Sequence, residues 1–156
     1  MAKVLFAGES WLNVTSHVKG FDLFSNTTYD ESGARHVINS LVSAGHDVDY
    51  LPSHEAPRLF PLTCQELGQY KVVCLSDLSS DSLLLHPDTF NQSLRKPNRL
   101  KLLRDWVLDG GGLLMIGGYF SFQGIYARAR WHGTPVEEVL PVAISPSDDR
   151  VEVPEG

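Results

Sequence analysis

The sequence has no long apolar run, little cysteine and no excess of basic charge, and each absence removes a class of function. No segment approaches the ~20 consecutive apolar residues of a membrane span. The opening "MAKVLFAGES" carries one lysine and then an apolar stretch too short for a signal-peptide core, without a small-residue cleavage site. A cytoplasmic protein with no membrane partner is therefore expected. The two cysteines, Cys64 and Cys74, suit a reducing compartment, and neither has a histidine at metal-ligand spacing, so no metal site is expected. Sequons at Asn13, Asn26 and Asn91 mean nothing without secretion. Lys plus Arg total 13 against 19 Asp plus Glu, a formal net charge of −6, which argues against a nucleic-acid partner. The first turn, "AGES", lacks G-x-G-x-x-G, and G-x-x-x-x-G-K-[ST] occurs nowhere, so no cofactor is expected.

What remains is an ordinary globular composition, 42% hydrophobic and 21% charged, in a chain of 156 residues that reads as one domain over 1–156. "KVLFAG" (3–8) is a near-continuous apolar run ending in glycine, as a buried parallel strand reads. A long polar and aromatic loop is expected over 9–29. From Asp30 a helix is expected, with Ala34, Val37, Ile38, Leu41 and Val42 on one face and Gly45 as its stop. Strands follow at 46–52 and 71–77, the second holding Cys74 as a small buried hydrophobe. A loop is expected from Ser79 to Pro97, then a helix capped by Asn98 with Leu100, Leu103 and Val107 facing inward. "LLMIGG" reads as a central buried strand turning tightly into a helix at 117–123. "VEEVLPVAIS" reads as a short helix and a fifth strand.

Strands alternating with helices specify an α/β fold: three layers, α/β/α, around a flavodoxin-like, doubly wound, mostly parallel sheet in the order 2-1-3-4. Ligands of such sheets bind outside the carboxyl ends of the strands. That rule gathers Gly8, Glu9, Ser10 and Trp11 after the first strand, Ser76 and Asp77 after the third, and Gly117, Gly118, Tyr119 and Ser121 after the fourth. Each has a plainer role as well. Glu9 can be an acid or base, or only a hydrogen-bond acceptor; Asp77 can bind a hydroxyl, or cap its turn. Gly117 and Gly118 can serve only to bend the chain. Trp11, Phe21 and Phe24 can line a pocket or lid, or pack the 9–29 segment onto the body. His17 and Lys19 are expected in solvent.

The stretches "LFAGESW", "HVKGFDLF", "AGHDVDYLP", "PNRLKLLRDWVLDGGGLLMIGGYFSFQG", "GTPVEEVLP" and "DDRVEVPEG" resemble the class I glutamine amidotransferase-like family along almost the whole chain. The resemblance implies a flavodoxin-like sheet. It also implies a G-x-C-x-G-x-Q elbow, whose cysteine attacks the glutamine amide with help from a His-x-Glu pair. Laid on this sequence, the elbow covers Gly117 to Gln123 and puts Tyr119 at the nucleophile position. A phenol is a poor stand-in for a thiolate. Ser121 takes the place of the second glycine, and no His-x-Glu occurs. Ser121 does not meet the G-x-S-x-G signature of a serine hydrolase either, since Tyr119 and Gln123 flank it. Glutaminase activity is not expected. The family's sequences also continue past "VEVPEG" into further strands and a helix, so the resemblance implies C-terminal elements beyond those seen here.

Three functions compete. The first is a non-catalytic domain binding a small polar ligand, carbohydrate-like by analogy with a sugar-associated branch of the fold, through Glu9, Ser10, Trp11, Asp77, Gly117, Gly118 and Tyr119. The second is a hydrolase or isomerase using Glu9 or Asp77 as base. The third is a homo-oligomerisation or protein-interaction module built on the aromatic 9–29 segment.

Overall fold

The computed structural model describes residues 1–155. Its central sheet has four parallel strands: β1 (Lys3–Gly8), β4 (Asp47–Leu51), β5 (Val72–Ser76) and β6 (Gly112–Ile116), in the order β4-β1-β5-β6. This is the 2-1-3-4 order expected from the sequence. β1 is the hub, pairing Val4 with Val48 on one side and with Val72 on the other.

Alternate residues of these strands feed two cores, as the period of two requires. Leu5, Ala7, Leu51, Val73 and Leu75 face a large layer with Phe60, Leu67, Leu83, Leu100, Leu103, Trp106, Trp131 and Val136. Val4, Phe6 and Cys74 face the other way, onto Ala34 of α1 (Ser32–Ser43), backed by Ile38 and Leu41. Burial pushes the Cys74 thiol pKa up, as befits a core residue. Val37 and Val42, expected on the inward face of α1, are exposed, so its buried stripe is narrower than the pattern implied.

The large layer is built from α2 (Ala56–Leu59), α3 (Cys64–Leu67), α4 (Ser80–Leu84) and α6 (Arg99–Leu108), while α5 (Pro87–Gln92) buries none of its own residues. Asn98 caps α6 as expected, its side-chain oxygen accepting from Leu100 N (3.0 Å) and Lys101 N (3.1 Å). The fully buried Arg99 then ties α6 to its neighbours, its guanidinium donating to the carbonyls of Ala56 (3.3 Å), Pro57 (3.0 Å) and Ser82 (3.4 Å). With no carboxylate beside it, burial lowers its pKa to about 10.

Five expectations need correction. The 9–29 segment is an antiparallel ribbon, β2 (Trp11–Lys19) and β3 (Asp22–Asp30), joined by the two-residue turn Gly20-Phe21. Only Gly20 of that pair has a left-handed φ, at 62°, which places glycine where a type II′ hairpin turn requires it. The Val, Thr, Phe and Tyr residues on either side are strand formers, and they outweigh the polar residues between them. Within the expected loop 79–97 lie α4 and α5, the latter with Pro87 in its first turn and His86 accepting from Asp88 N (3.1 Å). β6 is an edge strand: Leu114 is exposed because α1 does not reach it. Where a helix was expected after the 117–123 turn, the chain makes a 3-10 turn at Ile125–Ala127. "VEEVLPVAIS" forms a 3-10 turn at Glu137–Val139 and no strand. There the carboxylate of Glu137 accepts from Gly133 N (2.6 Å) and Ile144 N (2.7 Å), so side-chain bonds replace a sheet ladder.

Candidate functional site

At the carboxyl ends of the two central strands the chain leaves the sheet through strained residues. Glu9 follows β1 with φ 52°, and Asp77 follows β5 with φ 48°. Aspartate tolerates this left-handed region; glutamate does so less readily, and its surroundings must hold it there. Glu9 N donates to Ser76 O at 2.8 Å, and the Ser76 hydroxyl donates to Glu9 Oε2 at 2.6 Å. The Tyr50 hydroxyl reaches Glu9 O at 3.4 Å, its pKa raised to about 12, first by burial and then by the negative charge of Glu31. A methyl group at Gly33 would lie 2.7 Å from Glu9 Oε1, so the Glu9 carboxylate rests against the first turn of α1. The positive end of that helix already faces an anion from its own chain.

Asp77 anchors the turn after β6. Its Oδ1 accepts from Phe120 N at 2.6 Å, and Tyr119 N donates to the same carboxylate. Burial raises the Asp77 pKa, the nearby Glu9 charge adds to that, and the two backbone donors oppose it. A Cβ at Gly118 would fall 2.7 Å from Asp77 Oδ1 and 3.0 Å from its Cβ and Cγ, so this contact demands glycine. Ser121 is buried; its hydroxyl donates to Ile116 O and accepts from Asp77 N at 3.1 Å. That hydroxyl staples the end of β5 to the end of β6. Tyr119 is exposed on the outer surface of the turn, without the left-handed φ that Glu9, Asp77 and Phe122 share.

Beside this turn lies a cleft of about 230 Å³ lined by Ser10, Trp11, Ser53, Asp77, Leu78, Ser79, Ser82 and Phe120. Ser10 and Ser53 clasp across it, Ser53 N donating to Ser10 Oγ (2.7 Å) and Ser10 N to Ser53 Oγ (3.3 Å). Trp11, at the base of the ribbon, lies edge-on to Tyr119 (6.1 Å) and tilted to Phe120 (6.5 Å). Trp131 secures the opposite wall, its buried indole N–H donating to Leu78 O at 3.0 Å. A second hollow of about 180 Å³ opens between Gly118, Tyr119, Gly124, Ile125, Asp149 and Arg150. Larger hollows lie elsewhere: one of about 450 Å³ sits at the amino ends of β5 and β6, and one of about 480 Å³ runs between Leu84 and Asn98. The carboxyl-end cleft is the better candidate, because it gathers hydroxyls, a carboxylate and two aromatic faces where sheets of this order bind ligands. Among the described residues, no group of three or more His, Cys, Asp or Glu side chains is placed to hold a metal.

A model of the GATase1-like family, described as "Putative glutamine amidotransferase", matches residues 3–156. The chain belongs to this glutamine amidotransferase-like family. Two solved structures agree with the GATase1-like assignment. One is a cytoplasmic protein, STM3548, from Salmonella typhimurium, at 47% identity and a TM-score of 0.90, over 98% of this chain and 62% of that one. The other is a cytoplasmic protein, STM1381, from Salmonella typhimurium LT2, at 45% identity and a TM-score of 0.88, over 99% of this chain and 62% of that one. The present chain thus spans 62% of the length of each. No curated protein matches.

Within this GATase1-like fold the cleft brings together Ser10, Trp11 and Asp77 from the sequence-derived set. Gly118 and Tyr119 border the adjoining hollow instead, and Glu9 lies behind the cleft, bonded to Ser76. Phe21 and Phe24 lie far out on the ribbon, where Phe24 stacks on His17 at 4.7 Å. Ser53, Ser79, Ser82 and Phe120 were missed. Ser53 was within reach of the carboxyl-end rule, since it follows β4, the one strand of the sheet to which the rule was not applied. Ser79 and Ser82 were hidden because their segment read as loop.

Proposed function

We propose that this chain is a non-catalytic GATase1-like domain of the cytoplasm that binds a small, neutral, hydroxyl-rich molecule of carbohydrate type in the cleft between Trp11 and Phe120. The observation that carries the reading is the cleft's chemistry: four serine hydroxyls, one carboxylate and two aromatic faces, with no cationic side chain in its wall. Serine hydroxyls, each able to donate and to accept, satisfy a polyol's acceptors and donors, and an aromatic face covers the apolar side of a sugar ring. An anion such as phosphate would meet the repulsion of Asp77 with nothing to offset it. Acid–base catalysis is less well supported, because Asp77 is committed to the turn and Glu9 to Ser76. Glutaminase chemistry lacks a nucleophile: Tyr119 stands at the elbow position, Cys74 is buried and Cys64 is remote from the cleft.

Calorimetric titration with neutral monosaccharides and with nucleotides tests the reading. Sugar binding that weakens at least about tenfold in Trp11→Ala and in Ser53→Ala is expected. Metal-free nucleotide binding, indifferent to both substitutions, would overturn it. The purified chain should release no ammonia from glutamine, and Cys64→Ala should change nothing.

A further inference from the structure

The β2–β3 ribbon leaves the body at Trp11 and Asp30 and runs nine paired residues outward, about 30 Å at ~3.3 Å per residue. At its base Trp11 touches Tyr119 and Phe120, and Tyr29 lies against His54 at 4.7 Å. Beyond that, it has no substantial packing with any other element among the described residues. A lone two-stranded ribbon is marginal in water.

Its pairing register assigns the side chains to two faces. One face carries Leu12 opposite Tyr29, Val14 opposite Thr27, Ser16 opposite Ser25 and Val18 opposite Leu23. The other carries Asn13 opposite Thr28, Thr15 opposite Asn26, the stacked His17–Phe24 pair and the Lys19–Asp22 pair, with Trp11 and Asp30 at its base, so it mixes polar, charged and aromatic side chains. The first face is patterned as an antiparallel sheet is patterned for burial, yet Leu12, Val14, Val18, Leu23 and Tyr29 are 50% to 74% exposed. Phe21 at the tip is fully exposed.

We propose that this apolar face of the ribbon docks on the same face of a second copy of the chain, giving a two-fold dimer. Charge is the first argument. No ionisable side chain other than the Tyr29 phenol lies on the face, so a partner needs a matching uncharged apolar surface. A membrane surface is a poorer match: the ribbon's one Lys19 is paired across the strands with Asp22, and the chain carries a net charge of −6. Shape is the second. The Ser16–Ser25 pair, hydrogen-bonded at 2.7 Å, makes a low waist midway between Val14–Thr27 and Val18–Leu23. Two ribbons crossing at that waist set the bulky pairs of each beside those of the other, the self-complementarity an isologous contact requires. Area is the third. Burying the five exposed side chains and Phe21, at on the order of 100 Å² each in both copies, removes about 1,200 Å² from water, the lower end of stable interfaces.

Sedimentation equilibrium of the purified chain tests this. Wild type is expected to dimerise in the micromolar range or tighter. Val18→Asp/Leu23→Asp, on the apolar face, should weaken the dimer at least about 100-fold, and Thr15→Asp/Asn26→Asp, on the opposite face, less than about threefold. Val18→Thr/Leu23→Thr keeps strand-forming residues; should the aspartate pair disturb the circular dichroism spectrum, this variant should still weaken the dimer at least about tenfold. A wild type that stays monomeric to about 100 µM overturns the proposal, whether or not it binds neutral lipid vesicles. So does a dimer that variants of both faces weaken equally.

Discussion

Gly118→Ala separates the carboxyl-end turn from the rest of the fold with one methyl group. Gly118 does not adopt a left-handed φ, so alanine suffers no backbone penalty there, and the whole cost comes from contact. The new methyl would stand 2.7 Å from Asp77 Oδ1 and 3.0 Å from Asp77 Cβ. The carboxylate can rotate away, but the Cβ cannot, so the turn must shift. The first bond to go is Phe120 N to Asp77 Oδ1, 2.6 Å long and charge-assisted, worth about 1.5–3 kcal/mol. A loss of about 2–3 kcal/mol in urea unfolding is expected. Asp77→Gly loses the same bond but relieves a left-handed aspartate at φ 48°, a gain of about 1 kcal/mol, so a net loss of about 0.5–2 kcal/mol follows. With the Asp77 side chain gone, adding Gly118→Ala should cost less than about 1 kcal/mol. The double-mutant cycle should therefore give a coupling of about 1–3 kcal/mol. Costs that add to within about 0.5 kcal/mol would refute the account of why glycine stands at 118.

Two further predictions concern the same rim. Asp77 has a raised pKa, so its protonated form stabilises the fold below the unfolded-state value near 3.8, and that stability is lost as pH rises through the folded pKa. Asp77→Asn imitates the protonated form, so its stability relative to wild type should be higher at pH 7 than at pH 3.5; a pH-independent difference would show that burial does not penalise the charge. Trp131→Phe removes the donor to the buried Leu78 carbonyl and leaves a gap in the core, costing about 2–4 kcal/mol by chemical denaturation. A loss below about 1 kcal/mol would mean that this tryptophan does not hold the cleft wall.

The strands β1 and β5 were legible from short apolar runs, because a strand covered on both faces needs little else in its sequence; the edge strand β4, with Asp47 and Asp49 alternating with Val48 and Tyr50, was legible from Gly45 before it and Pro52 after it. The caps around α6 were legible for a local reason too: Asn98 bonds donors two and three residues away. α3 was equally local and still missed, although Thr63 and Glu66 form a capping box with Thr63 Oγ1 accepting from Glu66 N at 3.2 Å. Four-residue helices bury too little to leave a periodic stripe. The ribbon escaped because its alternation is interrupted by Ser16 and Ser25 in mid-face, so only the register reveals that Leu12, Val14, Val18, Leu23 and Tyr29 share one side.

The amino-acid sequence by itself determined the parallel sheet, its strand order and the family, because periodic burial and long matched stretches are properties of the chain read in line. It also placed Ser10, Trp11 and Asp77 near the rim, since the end of a strand can be read locally. Only the tertiary structure decided which of the rim residues are free to meet a ligand. Ser121 and Glu9 spend their polar atoms on Ile116 and Ser76, partners five and 67 residues away, and Asp77 spends its own on a turn 43 residues downstream. Ser53 enters the cleft only because β4 lies beside β1, 43 residues from the serine it clasps. Hydrogen bonds across such separations leave no trace in local sequence, and they divide the residues that build this site from those that face it.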